Sequence, residues 1–558
     1  MGYVAGFCSG SSMIPESFRK CLDVLEKHPR KYQEIAWKRF LSNLDQKRVT
    51  VVRLPCGYGK TLIGLIPFIA QAIDENWSIA PRLIYVLPMR SLVNEVRDIA
   101  QEIIDKMRLS EFLIVKALHG EARDTPHLFS DICVTTLDSF LYGYARKISL
   151  NSPYGDKHVD FTVGSIANSM IVFDEAHMYQ GGEVQVLGLF KLIVQYLAKT
   201  GIPMFVMTAT MPKIIRSFIF EDISFEDISF KDDEQLFKKE YTVNLIQKDL
   251  LKIGIRDFVS TFDFKKLLVV TNTVERAIHT YKELKKNHDC VLLHARIRNA
   301  DKIERLKTIK RYLLKTNAIL VSTQICEAGL DLDFDTLITD IAPADSLIQR
   351  IGRVARKGGK GTVYICNSEK TDPYESDIVR TTWDWLNTHI SRIDFSKFSN
   401  TNEIYGIQEL VDKCWEPYHE RLNRLPSESE LYLAERGLTY EPDLDFNVRG
   451  TEYVIIVAPR DGGKLLLSGG IIKQEEFNEC KFTIDINMVK RHKEWIKHED
   501  NGNFVGVLNY DHNKKGYILC HESEIRPYHA YLCNKIFYSE EFGLGGYGEN
   551  VREVANIK

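Results

Sequence analysis

The chain has 558 residues, 44% hydrophobic and 27% charged, which at the usual domain size is room for about three or four domains. Lys plus Arg number 73 and Asp plus Glu 76; near neutrality excludes a wholesale basic protein but permits a local basic groove. No apolar run reaches the ~18–20 residues that cross a bilayer, no secretory signal is expected, and the 11 scattered cysteines lack any Cys-x-x-Cys. The expectation is a cytoplasmic protein with reduced thiols and no cysteine metal site.

Residues 1–46 are expected to be helical. From Val49 to about Asn367, short β-branched runs alternate with segments of helical length, the pattern of buried parallel strands with crossover helices. The runs Val49–Leu54, Leu83–Pro88, Leu113–Leu118, Ile132–Thr136, Met170–Asp174 and Pro203–Thr208 predict a first α/β domain over 47–213. Residues 214–257 read as an acidic linker or surface strand. They repeat Phe-Glu-Asp-Ile-Ser at 220–224 and 225–229, and place seven acids against one base between Glu221 and Glu234. Strands at Leu267–Asn272, Cys290–His294, Ala318–Thr323, Thr336–Ile341 and Thr362–Cys366 predict a second α/β domain over 258–370. Residues 371–558 read as linker helices (Ser376–Arg392, Asn402–Arg424) followed by an accessory α+β region. Its antiparallel strands are expected at Tyr453–Ala458, Leu465–Ser468, Phe504–Asn509 and Tyr517–Cys520.

Three motifs carry chemistry. Leu54-Pro55-Cys56-Gly57-Tyr58-Gly59-Lys60-Thr61 follows a strand and opens a helix. Its glycines let backbone N–H groups curl around a phosphate, Lys60 would reach the β/γ-phosphates, and Thr61 would hold Mg²⁺. Met170–Asp174 ends in the carboxylates Asp174, suited to the same Mg²⁺, and Glu175, suited to be general base. His177 fits a nucleotide-site role and a satisfied core role equally well. In the second block, Gln349, Arg353 and Arg356 are spaced for one helix face, and arginines there would stabilise charge on a departing γ-phosphate. A solvated basic helix is the plainer reading of that run.

Taken together and in this order, the motifs resemble those of superfamily 2 helicases, which implies two tandem RecA-like parallel-sheet domains using ATP and Mg²⁺. By the same resemblance Gln33 stands in an adenine-reading Gln motif. Met89, Arg90, Thr135 and Thr136 stand in strand-gripping motifs of the first domain. Thr208 and Thr210 couple hydrolysis to movement, and Ser322, Thr323, Gly329 and Asp331 form a mixed nucleic-acid- and ATP-contacting motif. Asp174-Glu175-Ala176-His177-Met178-Tyr179, Thr208-Ala209-Thr210-Met211-Pro212 and Leu293-His294-Ala295-Arg296 narrow the resemblance to the CRISPR-associated type I helicase, with Arg296 a further nucleic-acid contact. The closing Tyr538–Leu544 segment resembles the end of that family.

The resemblance implies a DEAH-type, 3′-to-5′ translocase on single-stranded DNA, partnered by a CRISPR surveillance complex. Many members carry an HD nuclease ahead of the motor. Only 59 residues precede Lys60 here, and His288-Asp289 is the one His-Asp pair, so a stand-alone helicase with the nuclease on a separate subunit is expected. Asp511-His512 reads as turn chemistry. A superfamily 2 RNA helicase or repair helicase, and a non-hydrolysing ATP-bound clamp, are the alternatives. Between Tyr281 and Lys315, 11 bases face four acids, which fits a phosphate-binding groove and a solvated face equally well.

Overall fold

The computed structural model describes residues 14–119, 122–123, 125–145, 160–180, 184–234, 238–314, 317–327, 332–401, 403–422, 453–499, 504–511, 513–527 and 529–545. It divides into two units: Met1–Lys238 with Pro343–Ile348 and Arg380–Gly450, and Lys239–Ala342 with Gln349–Val379 and Thr451–Lys558.

In the first unit, eight strands form one sheet: β1 Val49–Arg53, β2 Arg82–Leu87, β3 Val115–His119, β4 Ala122–Arg123, β5 Ile132–Thr136, β6 Ser169–Phe173, β7 Met204–Thr208 and β8 Phe225–Ser229. Their order is β4-β3-β5-β2-β6-β7-β1-β8. All pairs are parallel except β3 with β4. Every residue of β1, β5, β6 and β7 is buried, which is why these strands read as unbroken apolar runs rather than alternating ones. The helix Lys60–Ile73 follows β1. A Cβ on its Gly64 would come within 2.9 Å of Tyr85 and Val172 and 3.2 Å of Met207. Only glycine lets this helix lie so close to β2, β6 and β7, and that closeness fixes the helix N-terminus over the ends of the strands.

In the second unit, β9 Lys239–Ile246, β10 Lys266–Val270, β11 Cys290–Leu293, β12 Ala318–Ser322, β13 Thr336–Asp340 and β14 Gly359–Cys366 form an all-parallel sheet ordered β11-β12-β10-β13-β14-β9. Leu267, Val269, Leu292, Ile319, Val321 and Ile338 make its core. These are two RecA-like sheets, as the sequence implies.

The 214–257 segment does more than link. It supplies the edge strand β8 to the first sheet and β9 to the second. Its acids are held by internal partners. Asp227 takes a two-point bond from Arg53, both contacts 2.8 Å, and a third from Arg216 at 2.7 Å. Asp232 accepts the backbone N–H of Phe398 at 2.9 Å and of Ser399 at 2.6 Å.

The accessory region is mixed rather than antiparallel throughout. Strands β15 Tyr453–Val457, β16 Lys481–Asp485, β17 His498–Glu499, β18 Phe504–Asp511, β19 Gly516–Glu522 and β20 Ala530–Leu532 share a sheet in which β15 and β20 run parallel. The expected strand Leu465–Ser468 is instead the short helix Lys464–Leu467. Asp461 starts it by accepting the N–H groups of Gly463 at 2.7 Å and Leu465 at 2.8 Å.

After this sheet a strap, Tyr538–Leu544, lies back on the second parallel sheet. Tyr538 Oη accepts the Arg298 N–H and donates to Asp301, both at 3.0 Å. Leu544 N–H donates to the Arg296 carbonyl at 2.9 Å. Gly543, at φ +72°, sits where a Cβ would be 2.4 Å from the Arg296 carbonyl oxygen, so no other residue fits that place without displacing the strap. Among the described residues no helix is long and apolar enough to cross a membrane.

Candidate active site

The first unit brings the sequence-predicted phosphate loop and the paired carboxylates together. Leu54–Gly59 turns off the end of β1, with Gly57 at φ +84° and Gly59 at φ +91°. A Cβ on Gly59 would lie 2.6 Å from Gln33 Nε2, so both the backbone angle and the space require glycine. Lys60 begins the following helix with its side chain buried. Its Nζ donates to the Leu54 carbonyl at 3.3 Å and stands 3.8 Å from Glu175 Oε1. A buried ammonium at the start of this helix, beside the loop, suits a polyanion such as a phosphate.

Asp174 and Glu175 follow β6, two strands from β1 across β7. Asp174 is buried; it accepts the Tyr85 hydroxyl at 2.6 Å and the Glu175 N–H at 2.8 Å. Each of its oxygens keeps a lone pair, so Asp174 with Thr61 fits Mg²⁺. Burial, with Glu175 beside it, pushes the Asp174 carboxyl up to about 6. Burial next to Asp174 also holds the Tyr85 hydroxyl well above its ordinary value, so it stays a donor. Glu175 adopts φ +51°, an uncommon angle for a residue with a side chain. Its side chain is a quarter exposed, 24%, although Oε2, on the His177 side, is buried.

His177 belongs to the same cluster. Its Nδ1 is 3.0 Å from Thr208 Oγ1 and 3.5 Å from Glu175 Oε2. The Thr208 hydroxyl donates to the Thr210 carbonyl at 3.0 Å, so Nδ1 carries the proton toward Thr208. A chain of polar contacts thus runs from the candidate base through His177 to the Thr208-Ala209-Thr210 turn after β7, and both threonines are fully buried.

Other predicted positions are committed elsewhere in the structure. Gln33 accepts the Arg30 N–H at 3.0 Å and donates to the Gly59 carbonyl at 3.2 Å, so its amide braces the loop. The Cys56 thiol is exposed and the Tyr58 ring fully buried. Thr135 donates to the Leu118 carbonyl at 2.8 Å, and Thr136 caps the helix Leu137–Tyr144 through the Ser139 N–H. Met89 precedes the helix Arg90–Lys106, and both Met89 and Arg90 are half-buried.

The helix that carries Gln349 is Ala344–Ile351, with Gln349 buried, but Arg353 and Arg356 lie beyond its end. The shared helix face expected for the three residues is therefore not present. Phe334 pairs with the arginine stretch instead: its N–H donates to the Arg353 carbonyl at 3.0 Å and its carbonyl accepts the Ala355 N–H at 2.9 Å. The Arg353 guanidinium donates to the Glu327 carbonyl, and Arg356 N–H to Asp333 at 2.8 Å. Ser322 donates to the Leu293 carbonyl at 3.0 Å, and Thr323 is buried. Gly329, Asp331 and His512 lie outside the described residues.

Arg296 pairs with Glu275 at 2.6 Å and its guanidinium stands 5.5 Å from the Trp495 ring centre. Much of the basic stretch around it is likewise paired, Arg298 with Asp301 and Glu540, and Lys285 with Glu541. Lys307, Lys310 and Arg311 are exposed.

Residues 30–218 match the DEAD/DEAH box helicase family, and residues 263–359 the C-terminal family of the CRISPR-associated nuclease/helicase Cas3. The chain is 28% identical over 437 residues to a CRISPR-associated helicase Cas3 of Thermoproteus tenax, covering 75% of this chain and 74% of that one. It is 24% identical over 454 residues to a putative CRISPR-associated nuclease/helicase Cas3 of Methanocaldococcus jannaschii, 72% of this chain but 57% of the relative. In fold it resembles the crystal structure of T. fusca Cas3-AMPPNP, with a TM-score of 0.64 at 15% identity over 85% of this chain and 65% of the other. With both helicase families matched in chain order on two parallel sheets, the chain is an ATP-dependent helicase of the DEAD/DEAH-box kind, similar to the Cas3 helicases.

Proposed function

We propose that the chain is the motor of CRISPR type I interference, a cytoplasmic translocase that moves 3′ to 5′ on single-stranded DNA and serves a CRISPR surveillance complex. The observation that carries the ATP-driven part is the meeting of the glycine-turned loop, the buried Lys60 amine and the Asp174–Glu175 pair at the ends of β1 and β6. Lys60 and the loop bind the phosphates. Mg²⁺, held by Thr61 and Asp174, would neutralise charge on them. Glu175 orients the attacking water and takes its proton. Arg353 and Arg356 stabilise the charge that develops on the γ-phosphate. Thr208 and Thr210, reached from Glu175 through His177, carry the change to the nucleic-acid grips.

The choice of DNA rests on the resemblance to the CRISPR-associated type I helicases, since grips on the sugar–phosphate backbone do not by themselves separate DNA from RNA. ATP turnover is expected to rise with single-stranded DNA and to stay basal with RNA of the same length. Stimulation by RNA alone would end the CRISPR reading and favour an RNA helicase.

Cutting is assigned to a separate HD nuclease subunit. The support is that the T. tenax relative, spanned to 74%, is named a helicase, whereas the M. jannaschii protein, spanned to 57%, is named a nuclease/helicase. With ATP and any of Mg²⁺, Mn²⁺, Ni²⁺ or Co²⁺, the purified chain is expected to leave DNA intact. Metal-dependent degradation lost in His288→Ala or His512→Ala would reveal a nuclease centre in this chain.

A further inference from the structure

The hydrolytic chemistry makes no use of the Tyr58 side chain, yet Tyr58 ties the loop to a distant part of the first unit. Its ring is buried edge-on to Tyr32, centres 6.0 Å apart, and to Phe230, 5.6 Å apart. Its hydroxyl accepts the Tyr32 N–H at 2.9 Å and donates to the Glu234 carboxylate. The Tyr32 hydroxyl donates to Asp233 at 2.8 Å and accepts the Lys231 N–H at 3.1 Å. Two aromatic side chains at the loop are thus both fastened to residues 230–234. Shortly after, the chain leaves the first unit at Lys238 and enters β9 of the second at Lys239. Burial and the Glu234 contact hold the Tyr58 hydroxyl above its ordinary value, so the bond persists through the working pH range.

We propose that Tyr58 and Glu234 are a positioning pair that transmits nucleotide occupancy of the phosphate loop to residues 230–234, shortly before the chain passes from one unit to the other. The inference rests on the reading of this loop as an ATP site. Tyr58 stands between Gly57 and Gly59, the two points where the loop backbone turns at positive φ. When phosphate recruits the loop's N–H groups, those glycines are where the backbone gives, and Tyr58 moves with them. A tyrosine has two side-chain torsions and little slack, so its hydroxyl either carries Glu234 along or releases it. Both outcomes alter the protection of the 230–234 amides.

Hydrogen exchange of the full chain, with and without AMPPNP and Mg²⁺, tests this. In the unmodified protein AMPPNP is expected to protect residues 55–62 and to change exchange at 230–234 by about fivefold or more. In Glu234→Ala the protection of 55–62 is retained while the change at 230–234 falls below about twofold. Glu234→Gln, whose amide oxygen still accepts the Tyr58 hydrogen, keeps the response, and Tyr58→Phe loses it as Glu234→Ala does. Should Tyr58→Phe fail to fold, the two Glu234 variants decide. A full response in Glu234→Ala, or a protected loop with 230–234 unmoved in the unmodified protein, overturns the inference alone. Absence of protection at 55–62 in the unmodified protein overturns the ATP reading together with it.

Discussion

Glu175→Gln is expected to bind ATP and Mg²⁺ as the unmodified protein does while ATP turnover falls by about 10²–10⁴-fold, the usual worth of a positioned general base. The amide keeps the size of the carboxylate but accepts no proton. Glu175 is partly exposed and lies 3.8 Å from Lys60, so the substitution removes one carboxylate contact from that amine without opening the core. Lys60→Ala should behave in the opposite way and lose nucleotide affinity, because the buried cation that receives the phosphates is gone. Nucleotide binding followed by fluorescence or calorimetry, beside steady-state turnover, separates the two. Equal loss of binding in both variants would show that the division of roles is wrong.

Arg350→Ala is expected to destabilise the second unit by about 3–5 kcal/mol, the range for breaking a buried charge network from one side. The Arg350 side chain is fully buried. It donates to Glu327 at 2.7 Å, Thr339 Oγ1 at 2.8 Å, the Asp340 carbonyl at 3.1 Å, Asn272 Oδ1 at 3.1 Å and Tyr374 Oη at 2.9 Å. Removal strands the buried Glu327 carboxylate beside the carbonyl that holds Arg353. Arg350→Lys should recover little, since an ammonium cannot reproduce a planar fork with five donors. Denaturant unfolding that resolves the two units is the measurement. An unchanged midpoint for the second unit would refute this account of its core, whatever happened to ATP turnover.

The parallel sheets were legible because their strands are buried on both faces. Val49–Leu54 was expected and Val49–Arg53 is found; Cys290–His294 was expected and Cys290–Leu293 is found. The loop and the carboxylate pair were legible for a related reason: each is a short contiguous motif at a strand end. What the sequence hid is of two kinds. Short apolar runs do not distinguish helix from strand, and Lys464-Leu465-Leu466-Leu467 became a helix once Asp461 capped it. Contacts across long stretches of chain leave no local spacing at all. Arg350 looked like one member of a basic run, and nothing near it in sequence announces Asn272 or Tyr374 as its partners. Tyr85 sat inside an apolar strand with no sign that its hydroxyl supports Asp174. The Arg353–Arg356 geometry was misread because the helix ends at Ile351, just before Gly352, and the positive φ of Ala355, +47°, turns the chain again between the two arginines.

The strap bears on how the protein is made. A ribosome delivers the second parallel sheet long before Tyr538–Leu544, yet the Arg296 carbonyl and the Arg298 N–H find their partners only in that closing stretch. The first unit likewise waits for residues beyond 380, where Phe398 and Ser399 meet Asp232. The two units are interleaved along the chain: the first draws on residues up to Gly450, and the second resumes at Thr451. The second sheet therefore stays uncovered where the strap lies until residues 538–544 have been made. A chain truncated ahead of Tyr538 would leave that part of the second unit open, a natural target for quality-control proteases.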